Sequence, residues 1–322
     1  MSLPDPNRPL RIGTRGSPLA LAQAHETRRR LMAAHALPED AFEIAVISTT
    51  GDRITDRPLS ALGGKGLFTR EIEADLLSGR IDVAVHSMKD MPVIQPDGLV
   101  IDCLLPREDV RDAFVSDRHA SLADLPEGAV VGTSSLRRRA QLMARRPDLS
   151  VVEFRGNVQT RLRKLADGVA EATFLAMAGL NRLGMAETAR GPIDPADMLP
   201  AVAQGTIGVE RRASDHRIAA LLEPINHGDT AVRTRAERAF LAGLDGSCET
   251  PIAGLADVDG GALRLRGEVL RPDGSDLHED AMSGAVEDAG PLGAALAAQL
   301  LERAGPGFFD WRAEGDGSVG RT

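Results

Sequence analysis

The stretch Ile81-Asp-Val-Ala-Val-His86, followed at once by Ser-Met-Lys-Asp-Met-Pro92, decides the fold. Its first six residues are short and apolar enough to predict a strand buried in a parallel sheet. Ligands of such sheets bind at the carboxyl ends of the strands. Because Lys89 and Asp90 directly follow this strand, we expect them at a ligand-binding edge of the sheet.

Strand-like and helix-like runs alternate on both sides of this stretch. Upstream, residues 10–14 predict a strand, and Ser17 caps a helix that begins with Pro18 and runs to about residue 36. Further strands, with helices between them, are predicted at residues 42–48, 112–116, 129–134, 150–154 and 172–178. The alternation predicts an α/β fold with two doubly wound domains and a cleft between them.

The predicted domain limits follow these blocks. Residues 1–105 form the first α/β domain, together with 204–223, which contain a strand-like piece from Thr206 to Glu210. Residues 106–203 form the second domain. Residues 226–322 change in character, with a helix at about 230–241, hairpin strands near 263–270 and a helix at 289–304, and they predict a smaller α+β domain. Residues from 305 onward are weakly patterned and are expected to be loose.

Composition narrows the classes of function. With 43% hydrophobic and 26% charged residues and a net charge of -9, the chain is typical of a globular protein and not of a nucleic-acid binder. It contains no apolar run long enough for a membrane helix, and its N-terminus has no apolar segment typical of a signal peptide. Two cysteines in unlike surroundings fit a reducing cytoplasm, and no cysteine–histidine spacing predicts a metal site.

Several predicted strand-to-helix turns carry cations. They are Thr14-Arg-Gly-Ser-Pro18, Gly132-Thr-Ser-Ser-Leu-Arg-Arg-Arg139 and Phe154-Arg-Gly-Asn-Val-Gln-Thr-Arg161. The glycine loop Gly63-Gly-Lys-Gly-Leu-Phe68 adds Lys65, and Gly179-Leu-Asn-Arg-Leu-Gly184 adds Arg182. Helix N-termini and arginines both bind anions. Each turn alone could be a capped helix with solvated arginines or a surface ion pair. Together they predict a cleft for a ligand with many carboxylates or phosphates.

The two cysteines differ in their neighbours. Cys103 lies in the apolar run Leu99-Val-Ile-Asp-Cys-Leu-Leu105 and is predicted to be in the core, whereas Cys248 lies among small and polar residues in Leu244-Asp-Gly-Ser-Cys-Glu-Thr-Pro251. The second thiol is therefore expected to be accessible. Two histidines, His86 and His227, are more simply interpreted as structural residues than as bases.

Taken in order, these motifs closely resemble the porphobilinogen deaminase (hydroxymethylbilane synthase) family over nearly the whole chain. The resemblance implies three domains, the first two like type II periplasmic binding proteins. It also implies an enzyme that joins four porphobilinogen molecules into a linear tetrapyrrole and releases four ammonia molecules. The chain would grow on a dipyrromethane cofactor that is held by a thioether to Cys248.

The resemblance also implies residue roles. Asp90 would be the catalytic residue, assisting the departure of ammonia, stabilising the cation that remains and helping the later loss of a proton. The matching substrate-binding positions are Arg15, Ser17, Arg155 and Arg182. The matching cofactor-binding positions, besides Cys248, are Lys65, Ser87, Lys89, Thr133, Ser134, Ser135, Arg137, Arg138 and Asn157. The expected partners are porphobilinogen and the growing polypyrrole, without nucleic acid or membrane, and the family suggests a cytoplasmic monomer.

Some positions depart from the usual pattern of this family. Ala203 and Thr206 flank Gln204-Gly205 where Gly and Ala are common, Ser247 replaces a frequent glycine, and Glu171 begins a strand that usually starts with Tyr. None of these departures removes a charged catalytic group. Two other classes of function remain open from the residues alone: an anion-binding or sensor domain on the same bilobal fold, and a phosphate-handling transferase that uses the glycine loop.

Overall fold

The computed structural model describes residues 3–53, 69–247 and 250–314. The glycine loop with Lys65, and Cys248 itself, lie outside the described residues.

The first sheet contains five strands in the order β2-β1-β3-β10-β4. These strands are β1 (Leu10–Arg15), β2 (Phe42–Ile47), β3 (Val83–Ser87), β4 (Leu99–Leu104) and β10 (Ile207–Arg212). The helices of this part of the chain are α1 (Pro18–His35), α2 (Thr50–Arg53), α3 (Arg70–Leu77) and α7 (His216–Leu222). Strands β1, β2 and β3 pair in parallel, while β10 pairs antiparallel with β3 and β4. The chain thus returns to the first sheet after building the second.

The second sheet repeats this arrangement in the order β7-β6-β8-β5-β9. Its strands are β5 (Asp112–Val115), β6 (Val130–Gly132), β7 (Ser150–Val152), β8 (Ala172–Ala176) and β9 (Gly191–Pro192), and its helices are α4 (Leu136–Arg145), α5 (Val158–Ala166) and α6 (Met177–Leu183). Strand β6 lies between its two parallel partners, and β5 is antiparallel to β8. The prediction of two doubly wound α/β sheets is confirmed. The predicted strand through Ala178 is too long, because the chain turns into α6 at Met177.

A third, antiparallel sheet lies in the C-terminal part of the chain. It contains β11 (Ile252–Asp259), β12 (Ala262–Leu270) and β13 (Leu277–Ala285), with the helices α8 (Gly228–Gly243), α9 (Ala289–Ala304) and α10 (Trp311–Glu314). The predicted α+β character is confirmed, although β11 was not predicted. The expectation of a loose segment from residue 305 is wrong up to residue 314. Phe308 is buried and makes a T-shaped contact with His278, and Arg312 stacks on Phe309.

Two chain segments that connect the first and second sheets run side by side. Glu108 N donates a hydrogen bond to Gly205 O, at 3.2 Å. Both Ala203 (φ 59°) and Gly205 (φ 88°) have left-handed backbone conformations. A Cβ on residue 205 would meet Glu108 O at 2.4 Å, so only glycine fits this close approach. The crossover therefore fixes the position of the buried Gln204, which lies between these two residues and contacts Lys89 and Asp112.

No helix in the described ranges combines the length and the apolar character needed to cross a bilayer.

Candidate functional site

A cleft opens at the carboxyl end of β3. Its lining includes Arg15 and Ser17 from the turn before α1 and Ser87 and Asp90 from the end of β3. Asp90 is exposed at the end of a short 3₁₀ turn, whereas Ser87 exchanges hydrogen bonds with Gln23 of α1 at 2.8 and 3.1 Å. Four of the predicted site residues thus share one cleft.

The ammonium of Lys89 contacts the crossover between the two sheets at Gln204. Lys89 Nζ donates to Gln204 Oε1 at 3.4 Å. Burial lowers the pKa of Lys89, and the nearby guanidinium groups of Arg138 and Arg137 lower it further, while Asp90 and Asp112 oppose the shift. Lys89 therefore lies between two sets of charges, one at each side of the cleft.

Asp112 joins the two arginines that open α4. Its Oδ2 accepts a hydrogen bond from Arg137 at 2.8 Å, and its Oδ1 accepts one from Arg138 at 2.7 Å. All three side chains are buried. Burial alone would raise the pKa of Asp112, but the two guanidinium groups outweigh it and hold the pKa below its ordinary value.

The predicted hydroxyl and amide residues shape the turns around these cations. Thr133 Oγ1 accepts from Ser135 N, and Ser135 caps α4. Ser134 Oγ accepts from Phe154 N at 3.0 Å, and Asn157 caps α5. Each helix N-terminus is therefore oriented by its own short polar side chain.

The three other predicted arginines do not form one cluster. Arg15 lines the cleft beside Asp90, whereas Arg155 Nε lies 3.8 Å from Glu153. Arg182 spans from the second sheet to the first, where Nε contacts Glu26 at 3.2 Å and a terminal N–H donates to Gly205 O at 2.9 Å. Arg182 accordingly ties α6 to α1 and to the crossover.

Arg161 is a cation of the site that the sequence reasoning did not assign. It lies in the first half of α5, and its Nε donates to Gly156 O at 2.9 Å. Burial and the charge of Arg138 lower its pKa to about 10, against the opposing charges of Glu153 and Asp90. Its place in the turn of Arg155 and Asn157 was the available signal, because a first-turn arginine on that helix faces the same edge.

The residues interpreted as structural have structural contacts. His86 Nε2 lies 3.0 Å from Glu210 Oε2 in the core, and His227 caps α8. Cys103 is buried, and burial raises the pKa of its thiol to about 12.

The buried cations suit a ligand with several carboxylates. Among the described residues, neither Arg137 Nε nor Arg138 Nε has a hydrogen-bond acceptor. A buried donor without an acceptor costs about 1–3 kcal/mol. Lys89, Arg137 and Arg138 carry three positive charges, whereas Asp112 pairs with both arginines and Asp90 lies near Lys89. Carboxylates of a bound ligand would satisfy both the charge and the unpartnered donors.

Two doubly wound sheets, a cluster of buried cations and an exposed carboxylate at a strand end are typical of a bilobal α/β protein that binds an organic polyanion. The family model of the porphobilinogen deaminase dipyrromethane cofactor-binding domain matches residues 10–220, and that of the C-terminal domain matches residues 231–302. The chain belongs to the porphobilinogen deaminase family.

Relatives agree with this assignment. A porphobilinogen deaminase from Paracoccus denitrificans (strain Pd 1222) is 69% identical over 309 residues, which cover 96% of this chain and 99% of the relative. The chain is therefore an enzyme of tetrapyrrole synthesis, which polymerises four porphobilinogen molecules into hydroxymethylbilane with release of ammonia. Its cofactor is dipyrromethane. The prediction of an enzyme is thus favoured over that of an anion-binding or sensor domain.

Two solved structures match this chain at low similarity. A periplasmic substrate-binding protein of an ABC transporter from Coxiella burnetii has 14% identity and a TM-score of 0.40, covering 67% of this chain and 91% of its own. A nutrient binding protein from Burkholderia cenocepacia bound to methionine also has 14% identity and a TM-score of 0.40, covering 72% of this chain and 94% of its own.

Proposed function

We propose that Asp90 is the catalytic carboxylate of this enzyme and that its dipyrromethane primer is joined to Cys248. The main support is the position of Asp90, whose exposed carboxylate lines the same cleft as Arg15 and lies next in sequence to the buried ammonium of Lys89. A carboxylate with cations on both sides can act on a substrate that is itself held by its carboxylates.

The reaction requires three contributions from such a carboxylate. Ammonia must leave the aminomethyl carbon of porphobilinogen, and positive charge then develops on the pyrrole. The Asp90 carboxylate can accept a hydrogen bond from the departing ammonium, stabilise the developing cation and later take the proton lost from the pyrrole carbon. When bound, dipyrromethane supplies the free pyrrole α-carbon to which the first substrate is joined.

The cationic residues would hold the acids of substrate and primer. We assign binding of the substrate to Arg15, Ser17, Arg155 and Arg182. We assign binding of the cofactor, besides its attachment at Cys248, to Lys65, Ser87, Lys89, Thr133, Ser134, Ser135, Arg137, Arg138 and Asn157. Guanidinium groups bind carboxylates through two parallel N–H donors, so arginines suit both the acetate and the propionate of each ring.

The second cysteine of the chain is a poor anchor. The thiolate is the reactive form of cysteine, and burial raises the pKa of Cys103 to about 12. Its Sγ lies 3.6 Å from Leu222 O in the hydrophobic core that packs against the first sheet. Attachment at Cys248 is therefore the alternative that the chemistry supports.

Intact-mass measurement of the purified protein tests the proposal. We expect a mass increase of two linked pyrrole units, present in the Cys103→Ser variant and absent from the Cys248→Ser variant. An adduct that survives in Cys248→Ser, or an unmodified mass in active, freshly purified protein, would remove the proposed attachment.

We further propose a monomer in the cytoplasm with domain limits at 1–105 with 204–223, 106–203 and 226–322. The thioether requires a reduced thiol, which a reducing compartment provides, and the net charge of -9 speaks against nucleic acid as a partner. The grouping of the strands into three sheets supports these limits. Light scattering, cell fractionation and limited proteolysis test the three statements.

A further inference from the structure

We propose that Asp112 is a positioning residue, which orients Arg137, Arg138 and, through Gln204, Lys89 toward the carboxylates of the cofactor. Asp112 lies in β5 of the second sheet and was not predicted as a site residue. The inference rests on the proposed function, since it takes these cations as the binding site of dipyrromethane.

The carboxylate of Asp112 is fully buried and accepts three side-chain hydrogen bonds. It accepts from Arg137 on one oxygen and from Arg138 and Gln204 on the other, at distances of 2.8, 2.7 and 2.9 Å. Three donors from two different segments thus converge on one carboxylate. Such convergence fixes the position of each donor relative to the other two.

Backbone carbonyls complete the fixation of both arginines. One terminal N–H of Arg137 donates to Leu199 O at 2.8 Å, and one of Arg138 donates to Phe174 O at 2.7 Å. Each guanidinium is therefore held at two of its nitrogens. Because the group is planar, two contacts fix its orientation and leave Nε, which lacks an acceptor in the described part of the chain, aimed in a fixed direction.

Gln204 connects the carboxylate of Asp112 to the ammonium of Lys89 through hydrogen bonds. Its Nε2 donates to Asp112 Oδ1 and also to Val110 O, at 2.9 and 2.8 Å. With both amide hydrogens committed, its Oε1 is the atom left to face Lys89 Nζ, at 3.4 Å. The ammonium is thus oriented by the same carboxylate that orients the arginines, one residue from Asp90.

A purely structural role would favour a balanced cluster. Buried ion pairs are often no more stabilising than apolar packing, and an uncompensated buried charge is costly. Here Arg137 and Arg138 share the carboxylate of Asp112, Lys89 has Asp90 near it, and two buried guanidinium donors have no acceptor among the described residues. The surplus charge is explained when an anionic ligand completes the cluster.

A double-mutant cycle between Asp112→Asn and Cys248→Ser tests the inference. We expect Asp112→Asn to lower the Tm of the cofactor-carrying protein more than that of Cys248→Ser protein, by at least about 3 °C. Equal losses in the two backgrounds would show that Asp112 supports the fold alone and would overturn the inference. A two-pyrrole adduct that persists in Cys248→Ser would instead refute the proposed attachment.

Activity supplies a second readout with a matched control. We expect Asp112→Asn to lower kcat/KM about 100-fold, as when a buried charge loses its partner. The control is Asp109→Asn, which removes a carboxylate three residues earlier that pairs with half-exposed Arg111, and it should leave kcat/KM unchanged. Wild-type kcat/KM in Asp112→Asn would overturn the inference.

Asp112→Glu keeps the inference testable if the asparagine variant does not fold. It retains the charge but shifts the carboxylate by one methylene group, about 1 Å, a displacement that costs a site up to about 100-fold in rate. We expect folded Asp112→Glu with kcat/KM at least about tenfold below wild type. Full activity in this variant would show that only charge is needed and would contradict a positioning role.

Discussion

Arg107 and Glu237 form a buried bidentate ion pair, with N–O distances of 2.7 and 3.0 Å. Arg107 follows β4, and Glu237 lies in α8. The two oxygens of Glu237 also accept from Ala203 N and Ala256 N, at 2.6 and 2.8 Å. One carboxylate therefore joins the C-terminal sheet to both segments of the crossover that carries Gln204.

Glu237→Gln should destabilise the protein strongly, because it leaves the Arg107 guanidinium buried without its counter-charge. Breaking a buried pair from one side costs about 3–5 kcal/mol. Urea unfolding would show a lower midpoint. The control Arg80→Gln disrupts the surface pair of the mostly exposed Arg80 with Asp75 and should leave the midpoint unchanged. Equal midpoints for Glu237→Gln and wild type would contradict this account.

Gly205→Ala should be more harmful than Gly168→Ala, although both residues have positive φ, at 88° and 75°. Alanine at such angles costs about 1–2 kcal/mol. At residue 168 a Cβ meets nothing within 4 Å, whereas at residue 205 it meets Glu108 O at 2.4 Å, which adds about 1–3 kcal/mol. Chemical unfolding of both variants measures the difference. A Gly205→Ala loss no larger than that of Gly168→Ala would argue against a tight crossover.

The alternation of strands and helices predicted both doubly wound sheets because local patterns determine single elements. Ser17 with Pro18 gave the start of α1 correctly, and the helix at residues 289–304 was found with its observed bounds. Pairing between distant segments was less visible. The antiparallel direction of β10, and the extra strand β11, depend on contacts that no local pattern encodes.

Charge pairing in the candidate site was likewise invisible in the sequence. The cations of α4 were found because arginines follow a strand end, but their partner Asp112 lies 25 residues before Arg137 on a different strand. Arg161 was missed since its proximity to Asp90 arises only when the two sheets face one another. Sequence motifs therefore indicated the cations of α4, and folding determined the carboxylate with which they pair.

Glu268→Gln should change how stability depends on pH. Burial raises the pKa of Glu268 in β12, with Glu279 adding and Arg145 opposing. A raised pKa means that the stabilising contribution is complete below the unfolded pKa of about 4.3 and is lost as pH rises through the folded pKa. The variant should therefore gain stability relative to wild type between pH 5 and pH 8.

Urea midpoints of both proteins at pH 5 and pH 8 measure this change. The control Glu187→Gln replaces an exposed carboxylate and should shift the midpoint equally at the two pH values. A Glu268→Gln difference that is the same at pH 5 and pH 8 would show that Glu268 titrates alike in the folded and unfolded chain.

Cys103 should resist alkylation in the folded protein. Burial raises its thiol pKa to about 12, with a contribution from Asp102, so about one thiol in 10⁴ is ionised at pH 8. In Cys248→Ser protein, iodoacetamide should add nothing at pH 8 before unfolding and one group in urea, as read by intact mass. Rapid modification of the native protein would show that the thiol of Cys103 is accessible to solvent and would contradict its burial in β4.

Asp90→Asn should abolish turnover while the protein keeps its cofactor. The amide retains the shape of the carboxylate but can neither take a proton nor stabilise a cation, and loss of such a group lowers kcat about 10²–10⁴-fold. The pairs of Asp112 with Arg137 and Arg138 do not involve Asp90, so the two-pyrrole adduct should remain in the intact mass. The control Asp97→Asn changes an exposed carboxylate in the following segment and should preserve turnover. Activity of Asp90→Asn close to wild type would remove Asp90 from the reaction, whereas an inactive variant without the adduct would assign it to cofactor assembly instead.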